Sequence, residues 1–219
     1  MNLDVDYTIL AVDPSLTGSS FIFGDKNGNV LNYLYFSNQK KDTKNKHCIE
    51  VPKDYKSKDK LDLILQKFML SVGNYNVKFV IIESPSYNSS NSNNEFKAMY
   101  GIMAWFLRQV KVEYIFIPPI SNKLYFTNNA RASKEDMIGQ AISEYGKIID
   151  FEQISNKHSE DVADSLSMYS IAYNYLHCIS EPKCINGLPL HRQQVLFKIL
   201  GDENNYKKVQ KKRNKLKNE

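Results

Sequence analysis

Long apolar runs are missing from this 219-residue sequence: no stretch approaches the about 18 consecutive apolar residues that a membrane-spanning helix needs. The opening MNLDVDYT holds neither a basic segment nor a hydrophobic one, so no secretory leader is predicted. A soluble, cytoplasmic protein with no membrane partner is expected. Cysteine is scarce and odd in number. Cys48, Cys178 and Cys184 form no CxxC pair, which excludes both a closed disulfide framework and a structural zinc site of the usual spacing. His47-Cys48 and His177-Cys178 are imidazole–thiol neighbours, but ordinary packing outweighs a shared metal there. At 25.3 kDa the chain suits one domain with an appendage, large enough to bury a core without covalent staples.

Excess positive charge is missing from most of the chain as well. The net charge is +5, yet seven of the 29 cationic side chains and one of the 24 acids fall in residues 207–219, leaving that stretch at +6 and the remainder at −1. The basicity is local. A disordered basic arm carrying Lys207, Lys208, Lys211, Lys212 and Arg213 is expected to neutralise nucleic-acid phosphates without reading sequence. The bland alternative is a solubilising tail.

What is present begins with three apolar segments. Tyr7 to Asp13 is nearly continuous and reads as a buried strand; Ser19 to Phe23 and Val30 to Phe36 follow, with the hairpin signal Asn27-Gly28 between them. Three antiparallel strands are predicted, the first central because it is the most uniformly apolar. Ser37 to Lys60 turns polar and lysine-rich and is expected to be a mobile, solvated loop. Leu61, Ile64, Leu65, Phe68, Met69 and Val72 recur at helical spacing before Gly73-Asn74. Val77 to Glu83 reads as a parallel strand, Phe96 to Val110 as a helix, and Tyr114 to Ile117 as a fifth strand ended by Pro118-Pro119. Helices are expected over 133–148 and 160–177. This order predicts an α/β protein with a five-stranded mixed sheet, three strands antiparallel and two parallel, flanked by helices. The domain spans 1–180, and 181–219 forms a C-terminal extension with a short helix near Arg192 to Leu200 and the basic tail.

Four acids carry the chemistry. Asp13 ends TILAVD before Pro14, Glu83 ends VKFVIIE, and Asp161 and Asp164 lie three apart in HSEDVADSL, on one face near the start of a helix. Taken singly, each has an ordinary explanation: a turn former, a solvated strand end, and stabilisation of a helix N-terminus. Jointly, the predicted sheet sets the first and fourth strand ends side by side, and a later helix can lay its acids across them. Unpaired carboxylates gathered at one point repel, a conflict that divalent cations remove. Two such cations can activate water and stabilise the leaving oxygen of an in-line phosphodiester displacement. Two Mg2+ ions per site are expected, with Mn2+ as a substitute.

VDPSLTG, IIESPSYN, the segment from Lys123 through ASKEDM, and EDVADSLSMY, in that order and spacing, resemble the RuvC-like Holliday junction resolvases of the ribonuclease H-like superfamily. The DPSLTG form is similar to phage-encoded members. The resemblance covers roughly residues 8 to 176. It implies a ribonuclease H-like fold in which Asp13, Glu83, Asp161 and Asp164 are the catalytic, metal-binding acids. Lys123 and Lys134, eleven residues apart, would address the DNA backbone near the scissile bond, with Arg131 between them as a further DNA contact. DPSLTG is shorter than the common bacterial DPGSxxTG. The family also carries an aromatic three residues after the strand-end Glu; here Ser86 stands at that place and Tyr87 follows, so base stacking would fall to Tyr87. His158, three residues before Asp161, is within reach of the metals or the leaving group, but a solvated loop histidine is the expected reading. If phage-encoded, the protein would work in the host cytoplasm.

The implied function is cleavage of four-way junctions and other branched DNA, leaving 5′-phosphate and 3′-hydroxyl ends. Two symmetric cuts imply a two-fold homodimer, for which the helix carrying Met99, Met103, Trp105 and Phe106 is the candidate interface; its alternative is core packing. Rival readings are another ribonuclease H-like nuclease acting on RNA hybrids or flaps, and a catalytically idle junction-binding protein. An actin-like ATPase would need a duplicated second domain for which the chain has no room.

Overall fold

The computed structural model describes residues 8–16, 18–85 and 94–218. TILAVD, strand β1 (Thr8–Asp13), is buried at every position because a hydrophobic cluster covers each of its faces. Alternation sorts its side chains: Ile9 and Ala11 enter one cluster, Leu10 and Val12 the other. The same split repeats in β2 (Ser20–Asp25), where Ile22 opposes Phe21 and Phe23, and in β5 (Val77–Glu83), where Phe79 and Ile81 oppose Val80 and Ile82. Three further strands, β3 (Val30–Ser37), β4 (Cys48–Glu50) and β6 (Glu113–Ile117), complete one sheet in the order β4-β3-β2-β1-β5-β6. β2 is antiparallel to β1 and β3, while β5 lies parallel to β1, β6 to β5 and β4 to β3.

Helices cover both faces. α1 (Ser57–Asn74) and α2 (Asn94–Gln109) close the Leu10 side, where Phe21 meets Phe36 and Phe68 edge-on at 5.3 and 6.5 Å. α3 (Pro119–Thr127), α4 (Lys134–Tyr145), α5 (Asn156–Ser180) and α6 (Leu190–Ile199) close the Ile9 side. α7 (Glu203–Asn218) adds Val209 to that same cluster. Val195, Leu196 and Phe197 of α6 also belong to it, so the extension shares the core of the strands. α5 is pinned to β2 by Ser20, which bonds the Asp161 carbonyl and the Ser165 hydroxyl, and by Tyr169, whose hydroxyl reaches the carbonyls of Asp25 and Asn29. Among the described residues no helix is long and apolar enough to cross a membrane.

Several sequence expectations need correction. The sheet has six strands, not five. The extra one, β4, lies in the Ser37–Lys60 stretch read as a mobile loop; three residues long, it forms through parallel backbone pairing to β3, which side-chain pattern does not reveal. That stretch also contains a 3-10 turn at Asp42–Lys44 whose Asp42 is fully buried. Pro118-Pro119 ends a strand as expected but also starts α3, because proline at the first helical position sacrifices no hydrogen bond. α5 begins at Asn156, four residues earlier than expected, which puts Asp161 and Asp164 beyond its first turn and weakens their reading as partners of the helix dipole. The basic tail is not a disordered arm; it is helical through Asn218.

Candidate active site

Strand parity aims the acids. Asp13 shares its face with Ile9 and Ala11, and Glu83 shares its face with Phe79 and Ile81, the side that α5 covers. Val12 pairs with Ile82, so Asp13 and Glu83 end adjacent parallel strands at the same level. α5 crosses there, held by the Ser20–Ser165 contact, and contributes Asp161 and Asp164. Asp13 and Asp164 are buried, whereas Glu83 and Asp161 are partly exposed.

Each carboxyl senses the others. Burial, then Glu83, Asp164, Asp161 and Glu160, push Asp13 well above the ordinary carboxylate range. Asp164 is raised by burial first and then by Glu83 and Glu160, against the opposing pull of Lys123. Burial lifts Glu83 to about 7 despite the Asn122 amide and the Lys123 charge, and Asp161 is raised by burial despite its hydrogen bond from His158. The four predicted acids therefore form one electrostatic unit.

Four residues that the sequence reading passed over or misread belong to this unit. Glu160 repels all four acids and pairs with Lys134. Its only signal was adjacency to Asp161. Asn122, buried on α3, donates to Glu83 Oε1 at 3.4 Å and to the Asp164 carbonyl at 3.2 Å. Nothing in the sequence marked it, because the helix that carries it was not expected. Tyr100 of α2 has its hydroxyl pushed up by burial and then by Asp13 and Glu83. His158, expected in solvent, is buried in the first turn of α5, and its Nδ1 lies 3.0 Å from Asp161 Oδ2. Gly18 is required by closeness: a Cβ there would collide with Asp161 Oδ2 and come within 2.5 Å of His158 Nδ1.

The predicted cations ring the acids unevenly. Lys123 donates to the Ala132 carbonyl at 3.2 Å while its charge acts on Glu83 and Asp164. Lys134, first in α4 behind a Ser133–Asp136 capping box, is exposed and held by Glu160, which raises its pKa. Arg131 is exposed in the short connection between α3 and α4. Lys207, Lys208, Lys211 and Lys212 are exposed on α7, opposite a face formed by Tyr206, Val209 and Arg213. Arg213, expected to meet phosphate, instead directs its guanidinium to Asn128 Oδ1, the Asn128 carbonyl and Gln194 Oε1 at 2.8–3.1 Å. It clamps α7 to the end of α3. Tyr87 lies outside the described residues.

The donor set fits hard divalent cations. Asp164 Oδ1 and Asn122 Oδ1 are buried acceptors without a hydrogen-bond donor, beside carboxylates that raise one another's pKa. Positive charge would satisfy both. Among the described residues no three His, Cys, Asp or Glu side chains are already gathered to enclose a metal.

No protein-family model matches the chain, and no curated protein matches its sequence. Solved structures do. RuvC from Thermus thermophilus superposes with a TM-score of 0.55 at 13% identity, over 78% of this chain and 96% of that one. The same protein in complex with a Holliday junction substrate gives 0.54 at 11%, with the same coverage. A fowlpox virus resolvase bound to Holliday junction DNA aligns more loosely, at 0.49 and 15%, over 77% and 98%. The sheet order, the flanking helices and this superposition over nearly all of the bacterial chain lead to one conclusion: the protein has the RuvC-type, ribonuclease H-like fold.

Proposed function

We propose that the protein is a metal-dependent endonuclease that cuts four-way junctions and other branched DNA, leaving 5′-phosphate and 3′-hydroxyl ends. The observation that carries this reading is the cluster of mutually repelling, largely buried carboxylates at the ends of β1 and β5 and on α5, within a RuvC-type fold. Asp13, Glu83, Asp161 and Asp164 would hold two magnesium ions, with manganese able to replace them. The bound ions would supply the charge that activates water and stabilises the departing oxygen.

The chain's own residues do the rest. Asn122 steadies Glu83 and ties it to the α5 backbone beside Asp164. Lys123 offsets the negative charge of Glu83 and Asp164. Lys134, paired with Glu160, and the exposed Arg131 would receive the phosphate backbone, and the exposed α7 lysines would add contacts along a duplex arm. Tyr87 would stack on bases at the branch. Two cuts in a two-fold substrate call for a homodimer. Met99 and Met103 are core residues of α2, while Ile102 and Trp105, 40% and 54% exposed and three residues apart, form the free stripe for that contact.

The test is incubation of the protein with four-way, flap, RNA–DNA hybrid and linear substrates, with magnesium and with chelator. Paired, magnesium-dependent nicks in opposite strands of the four-way junction are expected. Preferential hydrolysis of the hybrid would move the protein to another ribonuclease H-like activity. Tight junction binding without any cut would make it an idle junction binder.

A further inference from the structure

Asp42 is the least expected buried charge in the molecule. It comes from the lysine-rich stretch after β3, has no solvent exposure, and is fixed by hydrogen bonds across the fold. Ser37 Oγ donates to Oδ2 at 2.6 Å; Ser155, the residue before α5, donates through its backbone N–H to Oδ1 at 2.8 Å and through its hydroxyl to Oδ2 at 2.9 Å. Asp42 thereby anchors the N-terminus of the helix that carries Asp161 and Asp164. Burial alone would push its pKa up, but these hydrogen bonds and His158 bring it below the ordinary range, so it is an ionised carboxylate.

His158 lies between Asp42 and Asp161. Its Nδ1 meets Asp161 Oδ2 at 3.0 Å, its Nε2 faces Asp42 Oδ2 at 3.9 Å, and Nε2 has no hydrogen bond of its own. The ring is 1% exposed and has little freedom: Tyr35 lies 6.1 Å away between ring centres, and Gly18 closes over the His158–Asp161 contact. When Asp161 is the ionised carboxylate that a metal would meet, it only accepts, and Nδ1 is then the donor in this contact. Bonded at Nδ1 and confined by Tyr35 and Gly18, the buried ring has a fixed orientation, and with it the free oxygen of Asp161 is aimed.

We propose that Asp42 and His158 are positioning residues for Asp161: Asp42 fixes the start of α5 through Ser155, and the imidazole carried in that first turn holds the Asp161 carboxylate in its metal-binding pose. The inference rests on the reading of Asp161 as a metal ligand. Partners of this kind commonly govern 10–100-fold in metal affinity or activity. The proposal also gives the Ser37–Lys60 stretch a role inside the protein.

The experiment measures Mn2+ binding to the DNA-free protein by calorimetry, junction affinity in chelator, and the metal dependence of single-turnover cleavage. Asp42→Asn keeps the size and the Oδ1 acceptor for the Ser155 N–H but puts an amide nitrogen where the Ser37 and Ser155 hydroxyls donate. His158→Asn replaces Nδ1 with an amide N–H at nearly the same place, whereas His158→Gln supplies a donor only at the Nε2 place. The expected result is a roughly 10–100-fold weaker Mn2+ affinity for Asp42→Asn and His158→Gln, recovery toward the parent value in His158→Asn, and unchanged junction affinity. Gly18→Ala, which displaces Asp161 Oδ2, should weaken Mn2+ as His158→Gln does. Thermal melts within a few degrees of the parent separate this from misfolding. If Asp42→Asn unfolds, the Asn-versus-Gln contrast at 158 still decides; if His158→Gln unfolds, Gly18→Ala and the Mn2+ affinity of His158→Asn still decide. Parent-like metal binding in the Asp42 and His158 variants while Asp161→Asn loses it overturns the proposal. Parent-like binding in Asp161→Asn as well overturns the metal-site reading instead.

Discussion

Glu83 shows what this site does to a single side chain. Burial moves its carboxyl from the ordinary 4.5 up to about 7, and the Asn122 bond and Lys123 charge only partly oppose that. Between those two values the folded chain holds a proton that the unfolded chain has released, so stability falls as pH rises through the window and the loss is complete above about 7. The shift corresponds to ~3 kcal/mol. In chelator, the parent should therefore melt at a lower temperature at pH 8 than at pH 5, and Glu83→Gln should remove that part of the slope. Magnesium added at pH 8 should raise the melting temperature of the parent more than that of the variant, because a ligand bound only by the folded state stabilises it. Calorimetric scans at the two pH values check both. On the catalytic side, Asp13→Asn and Glu83→Gln should each lower cleavage by ~100-fold or more, given that outer partners of a metal alone account for 10–100-fold. Junction affinity in chelator should remain, since Lys123, Arg131 and Lys134 are untouched; gel-shift and single-turnover assays separate the two effects.

Elements matter through where they are bolted. α7 is strongly cationic, and its one buried hydrophobic residue, Val209, joins the core. The Arg213 clamp on the left-handed Asn128 cap of α3 sets its direction. The lysines on its outer face are thus held in place relative to the end of α3. Replacing Lys207, Lys208, Lys211 and Lys212 with glutamine should reduce the salt slope of junction binding by about 3–4, at ~0.9 for each phosphate neutralised, equally for every sequence. Titrations at several salt concentrations measure it. Arg213→Ala should loosen α7 without removing a phosphate contact, so hydrogen exchange of residues 203–218 should accelerate while the slope changes by less than in the lysine variant. A slope change as large as that of the lysine variant would return Arg213 to the DNA surface. α5 is bolted more firmly, with Ser20, Ser165 and Tyr169 on one side and Asp42 at its start.

At the scale of the whole molecule, one chain holds one cluster of acids, and resolving a four-way junction takes two. The Ile102–Trp105 stripe of α2 is the surface assigned to pairing. Trp105→Glu should convert a dimer to a monomer in sedimentation experiments and make the two nicks independent, so that singly nicked junctions accumulate. A parent protein that is monomeric even with junction bound would remove this element of the proposed function. The sheet is where the two halves of each site meet, since β1 and β5 deliver acids from its interior and the helix layer closes over them.

Much of this was legible in the sequence, for reasons that differ by residue. TILAVD and VKFVIIE announced buried strands because both faces of each must be apolar, and the abrupt Asp13 and Glu83 at their ends were visible as breaks in that pattern. The i,i+3 spacing of Asp161 and Asp164 followed from helical periodicity alone. Local pattern carries no information about partners far along the chain. β4 exists because β3 offers its backbone, α3 because a proline begins what looked like a terminator, and α7 because Arg213 reaches back 85 residues to Asn128. The deepest case is Asp42, which sits among lysines and reads as solvated, yet is buried against Ser155, 113 residues on. The sequence by itself determined the inner strands, the long amphipathic helices and the candidate acids, since periodicity and apolar runs act over a few residues. Only the tertiary structure decided which polar groups meet in the interior, Asn122 with Glu83 and Asp42 facing His158, because burial and pairing of polar groups depend on contacts that the chain makes after it has folded.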